Sequence, residues 1–444
     1  MLVKEFIGRS IYGHLNFNIK FNRDISFLVG SNGSGKTTAL RMMNALVTPN
    51  FKDLLTIPFL EISLCIEEKN KDLYIRAHKV GDEIQLQVSG ISDALLLPTL
   101  DLNDYSFYNH RTDKINEMVN DIVRRFQSHP IMKAISEIST PIFLGLERRS
   151  EDNLDISADY FFDRPRGIVV NNSKQRKIIP GSLGMGLMET ELLVQNSYRR
   201  LRELEERQLS RMRDSILMSV FQYNNVEFDF KDSAYAINNW KEKQGLLQRQ
   251  NEIKTAIANI GLKNKAIIQS VDDFFEKMSA LFEKLSTMDK GLSVEWLLNK
   301  AQVDRISKIV EIIDEHKSKQ DSLFKPINDF ISTVNSFYQD SNKSIKLDTV
   351  GQIVVKRPDG KECSIEGLSS GERQLLVIFA HVYFSKNDKR TTFIIDEPEL
   401  SLHLRWQERF TDTIKTFENG GQFILATHSP EIVGKNKNKV VQCR

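Results

Sequence analysis

Hydrophobic and polar positions change their period along the chain. Near the N-terminus, Leu2–Ile7, Leu15–Phe21 and Ile25–Val29 are short apolar runs between polar breaks, and they predict three strands. From Pro58 to Gly90 the runs Phe59–Ile66, Leu73–Ala77 and Glu83–Val88 alternate with period two, and Lys/Asn/Asp and Gly-Asp turns separate them. That pattern predicts an antiparallel meander with one face buried. Residues 105–139 carry helical spacing and lead through Thr140-Pro141 to a strand at Ile142–Leu146. Between Leu187 and Gln339 glycine is scarce and Glu, Lys, Arg, Gln, Leu and Ile dominate. Phe274, Phe275, Met278, Leu281, Phe282 and Leu285 recur there at intervals of three and four, as on helices packed against each other. No strict heptad persists through the stretch, so a compact helical arm or bundle is expected rather than a long coiled coil. Residues 345–357 return to strand character, and Arg357-Pro-Asp-Gly360 makes a turn. Leu375–His381 reads as a buried helix, and Thr391–Ile395 and Gln422–Ala426 as buried strands.

An α/β fold interrupted by an all-helical insertion follows, with an N-terminal lobe at 1–185, the insertion at 186–340 and a C-terminal lobe at 341–444. A chain of 444 residues is long for one domain. Lys and Arg number 61 against 59 Asp and Glu, so nothing global marks a polyanion binder, and any nucleic-acid contact must be local. Arg164, Arg166, Lys174, Arg176 and Lys177 form the one basic cluster outside the helices, either a solvated loop or a place for phosphate-backbone contacts. Cys65, Cys363 and Cys443 lie far apart without Cys-x-x-Cys spacing, which indicates neither a zinc hook nor a disulfide framework and suits a reducing compartment. No apolar run is long enough to span a bilayer and no signal peptide is evident, so a cytoplasmic location is expected.

The strongest chemical signal is Gly30-Ser31-Asn32-Gly33-Ser34-Gly35-Lys36-Thr37-Thr38, set between a predicted strand and the helical run Ala39–Leu46. Glycines let the backbone turn with its N–H groups inward, and the helix start adds its positive dipole end. Lys36 would reach the outer phosphates of a nucleotide, and the Thr37 hydroxyl would ligate Mg²⁺. Farther on, Ser369 or Ser370 can cap the helix that Glu366-Gly-Leu-Ser-Ser-Gly-Glu-Arg-Gln374 begins, making a second anion site with Gly371. Asp396 and Glu397 end a buried strand, and adjacent carboxylates there are costly unless a cation or water occupies them. Asp396 would hold the Mg²⁺ shell and Glu397 would polarise the attacking water. His428, after another buried strand, could reach a γ-phosphate or serve as a capping or core residue. Phe6 or Tyr12 could stack on a base, or simply pack in the core or hairpin, while Arg9 is either near the nucleotide or an exposed strand end. Glu147, Arg148 and Arg149 face either the nucleotide, a neighbouring subunit or solvent.

Taken in order, these segments resemble the ATP-binding-cassette ATPase superfamily. Gly30–Thr37 matches its Walker A loop, Leu368–Gln374 its signature motif, Phe393–Glu397 its Walker B strand with catalytic glutamate, Ser401-Leu402-His403 its D-loop position, and His428 its switch histidine. The resemblance implies an ABC-ATPase head with a P-loop mixed sheet and an antiparallel β subdomain, binding ATP and Mg²⁺. It implies an ATP sandwich between two copies, each nucleotide held by one Walker A loop and the other copy's Ser369 or Ser370 and Gly371. The helix-filled middle is similar to the Rad50, SMC and OLD group rather than to transporters, although no clear Q-loop glutamine follows the Walker A helix. Within that group the chain resembles the ATPase subunits of two-gene anti-phage systems, AriA of PARIS first and PtuA of Septu second. That resemblance implies a homo-oligomer up to a hexamer, a separate TOPRIM-type nuclease effector and a phage-encoded trigger protein. A DNA-repair or chromosome-associated ATPase that binds DNA is the alternative.

Overall fold

The computed structural model describes residues 1–49, 51–100, 111–145, 182–221, 243–259, 261, 265–287, 294–384, 391–416 and 421–443. Described residues fall into two compact units, Met1–Gln195 with Asp329–Arg444, and Asn196–Asn328. The Glu147–Arg149 triplet and the basic cluster from Arg164 to Lys177 lie outside the described residues.

In the first unit the chain opens with β1 (Leu2–Ile11), β2 (Leu15–Lys20) and β3 (Ile25–Val29), then helices α1 (Lys36–Val47) and α2 (Lys52–Thr56). The meander β4 (Glu61–Glu68), β5 (Lys71–Val80), β6 (Glu83–Val88) and β7 (Leu95–Pro98) follows. With β2 and β1 it builds a six-stranded sheet of order β2-β1-β4-β5-β6-β7, antiparallel throughout. Along β6 and β7 every second residue is buried, so one face packs inward; the other carries Glu83, Gln85 and Gln87 on β6, and Leu96 and Pro98 on β7. The helical stretch of the sequence divides into α3 (Arg111–Phe126) and α4 (Pro130–Glu137), because His129 adopts extended backbone and accepts from Ile131 N–H, capping a helix with proline in its first turn.

A second sheet is parallel, of order β14-β3-β13-β12-β8, where β8 is Ile142–Gly145, β12 Thr392–Asp396, β13 Gln422–Thr427 and β14 Val440–Gln442. Every residue of β12 and β13 is buried, as the continuous apolar runs require of strands covered on both faces. Their side chains divide with period two. Leu28, Ile394, Ile424 and Ala426 join a core with α1 and the inner face of the antiparallel sheet. Phe27, Phe393, Ile395, Phe423 and Leu425 join a second core, where α9 (Ser370–Phe384) and α10 (Leu404–Lys415) pack together with Phe330, Val334, Phe337 and Tyr338. Buried Gln422 ties the two sheets together. Its amide donates to Val3 O at 2.7 Å and Asn22 O at 2.8 Å, and its oxygen accepts from Val3 N at 2.8 Å and Thr392 Oγ1 at 3.1 Å. Backbone groups take both of its N–H protons and supply one donor to its oxygen, which makes a fully buried amide tolerable.

The single strand run expected at 345–357 is two strands, β9 (Ser344–Leu347) and β10 (Ile353–Lys356). Asp348 accepts from Val350 N and Gln352 N and turns the chain between them. A two-residue β11 (Glu362–Cys363) completes a small antiparallel sheet.

The second unit is all-helical among its described residues. It contains most of α5 (Ser182–Phe221), then α6 (Gln250–Asn259), α7 (Lys265–Thr287) and most of α8 (Val294–Tyr338). Its core holds Met212, Ile253, Phe275, Met278, Leu281, Phe282 and Val303, with Phe274 and Leu285 partly buried against it. The three-and-four spacing read from the sequence is the spacing of that core.

Candidate nucleotide site

Strand order brings the chemistry together. Because β13 lies between β3 and β12 and all three run parallel, the residues after Val29, Asp396 and Thr427 emerge along one edge of the sheet. That carboxyl edge is where open α/β sheets bind ligands.

After β3 the chain turns through Gly30 to Gly35 into α1. A Cβ on Gly30 would fall 2.4 Å from Ser34 Oγ, and one on Gly35 would fall 2.8 Å from the Phe17 ring and 2.9 Å from Leu15 Cδ1. Gly33 and Gly35 have φ of 79° and 88°, the left-handed region that side chains resist. Gly35 is the N-cap of α1 and supplies no side-chain cap, and no acidic residue stands in the first turn. The N–H groups at this helix start are thus left for an anion. Ser31, Asn32 and Gly33 are exposed, and Ser34, Thr37 and Thr38 are half-buried.

Lys36 is buried, at 6 % exposure. Its ammonium donates to Gly30 O at 3.0 Å and Ser31 O at 3.4 Å, and to the His428 ring, whose Nε2 lies at 2.5 Å and Nδ1 at 3.5 Å. Burial lowers its pKa, against the opposing pull of Cys443, Asp396, Glu397 and Glu399. Among the described residues the ammonium is bonded by carbonyl dipoles and an imidazole alone, and a phosphate would supply a directly bonded counter-charge.

Asp396 is buried, pairs with Gly145 and Ala426 in the parallel ladders, and ends β12. Glu397 has φ 51°, a left-handed conformation unusual for glutamate, and its N–H donates to Ala426 O at 2.8 Å. Strained non-glycine backbone of this kind persists where the surroundings over-determine it. Thr37 and Asp396 offer the hard oxygen donors that Mg²⁺ takes from a protein while keeping water and phosphate oxygens in its other positions.

At the second predicted anion site the structure resolves the capping residue. Ser369 Oγ accepts from Glu372 N–H at 3.3 Å, and the Glu372 carboxylate accepts from Ser369 N–H at 2.6 Å, a reciprocal capping box at the start of α9. Glu372 is 2 % exposed and also binds Lys343 Nζ at 2.9 Å and Ser341 Oγ at 2.7 Å. Desolvation alone would raise its pKa, but the bonds from Lys343, Ser341 and the Ser369 N–H outweigh burial and hold it below the usual value. Ser369 and Ser370 themselves are exposed. Gly371 is buried against the segment after Glu397, and a Cβ there would meet Ser401 O at 2.3 Å. The described hydrogen bonds at this helix start join Ser369 to Glu372, and Glu372 to Lys343 and Ser341, rather than reaching the phosphate loop.

One of the two aromatics offered for stacking on the base is ruled out. Phe6 is fully buried in the core behind the antiparallel sheet, its ring 6.2 Å from Phe17, so it cannot stack on a nucleotide. Tyr12 is exposed at the β1–β2 turn, and Arg9 is exposed and paired with Glu61 at 3.5 Å. Sequence reasoning missed Cys443, whose N–H donates to Val29 O at 3.0 Å and whose thiol lies against Ser34 O at 3.5 Å, underneath the phosphate loop. Burial pushes that thiol up to about 11. Nothing local in the sequence marks it, because only the pairing of β14 with β3 brings it there.

A glycine cradle at a bare helix start, a buried lysine, and carboxylates at the neighbouring strand end define a P-loop nucleotide-hydrolase head. The chain belongs to the AAA ATPase domain family (AAA_15), whose pattern matches residues 12–433. It is similar to the chromosome partition protein Smc of Halothermothrix orenii, 24 % identical over 197 residues that cover 42 % of this chain and 16 % of that protein. It is also similar to the retron Vc95 probable ATPase of Vibrio cholerae, 24 % identical over 160 residues, 32 % of this chain and 30 % of that one. A 58-residue stretch is 37 % identical to the zinc import ATP-binding protein ZnuC of Buchnera aphidicola, covering 13 % of this chain and 24 % of that one. The chain thus spans less than a third of each of these relatives. Among solved structures, the Smc head domain of Pyrococcus furiosus bound to the C-terminal domain of ScpA aligns over 97 % of this chain and 91 % of that one, at 14 % identity and a TM-score of 0.40. The SMC head of Thermotoga maritima aligns at 12 % identity and a TM-score of 0.36, covering 98 % and 91 %. Among the described residues no helix is long and apolar enough to cross a membrane.

Proposed function

We propose that this ATPase head hydrolyses ATP in a site shared between two copies of the chain, and that ATP occupancy reports their assembly. The observation that carries the reading is Lys36, buried in the glycine cradle and held by two carbonyls and His428. On binding, its ammonium exchanges those neutral partners for the β- and γ-phosphate oxygens, while N–H groups of Gly33 to Thr38 donate to the remaining oxygens. Mg²⁺, held by Thr37 and Asp396, would offset phosphate charge. Glu397 orients and deprotonates the attacking water, and His428 donates to the γ-phosphate once Lys36 has turned away. Ser369 and Ser370, exposed at the capped start of α9, close the site from the second copy together with Gly371.

Glu397→Gln removes the base and leaves binding intact. With ATP this variant is expected to run as a dimer in light scattering, and adding Ser370→Arg should return it to the monomer. A Glu397→Gln chain that stays monomeric with ATP bound sinks the shared site.

The finer reading is an ATPase subunit of a bacterial anti-phage complex that restrains a separate TOPRIM-type nuclease effector and releases it on infection, in the cytoplasm. The similarity to a retron ATPase is compatible with that role. Co-expression with the product of the adjacent gene is expected to give a stable complex. If no complex forms with or without ATP, the effector reading is lost.

A further inference from the structure

Glu399 stands three positions beyond Asp396, and its side chain turns back across the end of β13. One carboxylate oxygen accepts from the backbone N–H of His428 at 2.6 Å, and the other accepts from Thr427 Oγ1 at 2.8 Å. Thr427 Oγ1 in turn accepts from Ser429 N–H at 3.0 Å. The proton inventory closes in one sense only. The hydroxyl has a single proton, which goes to Glu399, so its lone pairs face Ser429. One carboxylate therefore fixes three consecutive residues.

The middle residue of the three is the one whose ring reaches Lys36. Thr427 and Ser429 are buried, whereas His428 is exposed, so its imidazole is placed by the bond to Lys36 and by its own peptide rather than by close packing. Glu399 is itself held from the other side. Gln374 of α9 donates to Pro398 O at 3.0 Å, Leu402 N–H donates to Glu399 O at 3.0 Å, and Ser401 O fills the space a side chain at Gly371 would need. An amide in place of the carboxylate offers a single acceptor and presents an N–H₂ group to the other donor.

We infer that Glu399 is a positioning residue for hydrolysis: its two-oxygen clamp on Thr427 and His428 sets the imidazole at the phosphate end of the nucleotide, beside Lys36. This inference rests on the ATPase reading above. A group that acts only through His428 lowers turnover without weakening ATP binding, and it has nothing left to do once His428 is gone.

The test is a double-mutant cycle on the full chain, with kcat and KM for Mg-ATP and the unfolding midpoint measured for each variant. His428→Ala is expected to lower kcat about a hundredfold, the scale for losing one preorganised donor. Glu399→Gln should lower kcat about tenfold with KM within about twofold, and should cost nothing further in the His428→Ala background. If Glu399→Gln fails to fold, Thr427→Val serves instead, since it removes the hydroxyl's bonds to Glu399 and Ser429 and keeps the bond from the His428 N–H to Glu399. It should lower kcat less, again only while His428 is present. Independent losses that multiply in the double variant, or a raised KM with unchanged kcat, overturn the positioning role alone. A silent His428→Ala overturns the assignment of His428 and this inference with it.

Discussion

The Lys36 ammonium and the His428 imidazole meet at 2.5 Å, although 392 positions separate them in the chain. The contact exists because β13 threads between the strand that precedes the phosphate loop and the strand that ends in Asp396. Burial lowers the lysine's pKa there, and among the described residues no carboxylate bonds it directly.

Replacing that lysine separates function from folding. Lys36→Met should abolish ATP binding in calorimetry. It should also raise the unfolding midpoint of the nucleotide-free protein, by a gain on the order of 1 kcal/mol, because a desolvated cation gives way to an apolar side chain. A lowered midpoint would mean that Lys36 stabilises the loop rather than waiting for phosphate.

Two glycines should resist substitution for steric reasons. Gly35→Ala places a Cβ 2.8 Å from Phe17 at φ 88°, and Gly371→Ala places one 2.3 Å from the Ser401 carbonyl. Each should cost about 1–3 kcal/mol in denaturant unfolding. Gly33→Ala meets nothing within 4 Å and carries only the backbone strain of its φ of 79°, so it should cost less.

Acid should loosen the start of α9. The Glu372 carboxyl has its pKa held below the ordinary glutamate value of 4.5, so its contribution is fully present above about that pH and is lost as pH falls through the lower folded value. Glu372→Gln should therefore flatten the stability profile below about pH 4.5. Lys343→Ala leaves the carboxylate buried without its cation, and since Lys343 is partly exposed, the cost should fall at or below the low end of about 3–5 kcal/mol. Thermal unfolding across pH reads both.

Cys443 should be chemically silent. With its thiol pushed up to about 11 and 3 % exposed, it should resist iodoacetamide at pH 8 in the folded protein, whereas half-buried Cys363 reacts. Mass spectrometry of the alkylated chain distinguishes them. Native labelling of Cys443 would show that the strand beneath the phosphate loop opens readily.

Much of the head was legible along the chain because local rules govern those parts. The glycine loop, the apolar runs of β3, β12 and β13, the period-two meander and the helical core spacing each follow from residues close in sequence. His129 and Asp348 show the limit of such reading. A side chain that accepts from nearby N–H groups breaks one predicted element into two, and periodicity does not register it. Phe6 shows another, since an aromatic in a half-buried strand faces core or ligand according to register alone.

What the sequence determined by itself is the chemistry: a phosphate loop, two carboxylates at a strand end, a capped helix start and a histidine, joined by a helical insertion. What only the tertiary structure decided is which of these act on one another. Strand order placed His428 against Lys36, the pairing of β14 put Cys443 under the loop, and the turn after Glu397 brought Glu399 back onto the histidine's peptide. Those relationships depend on non-local hydrogen bonding and packing between segments 29 to 409 residues apart, to which a local sequence pattern has no access.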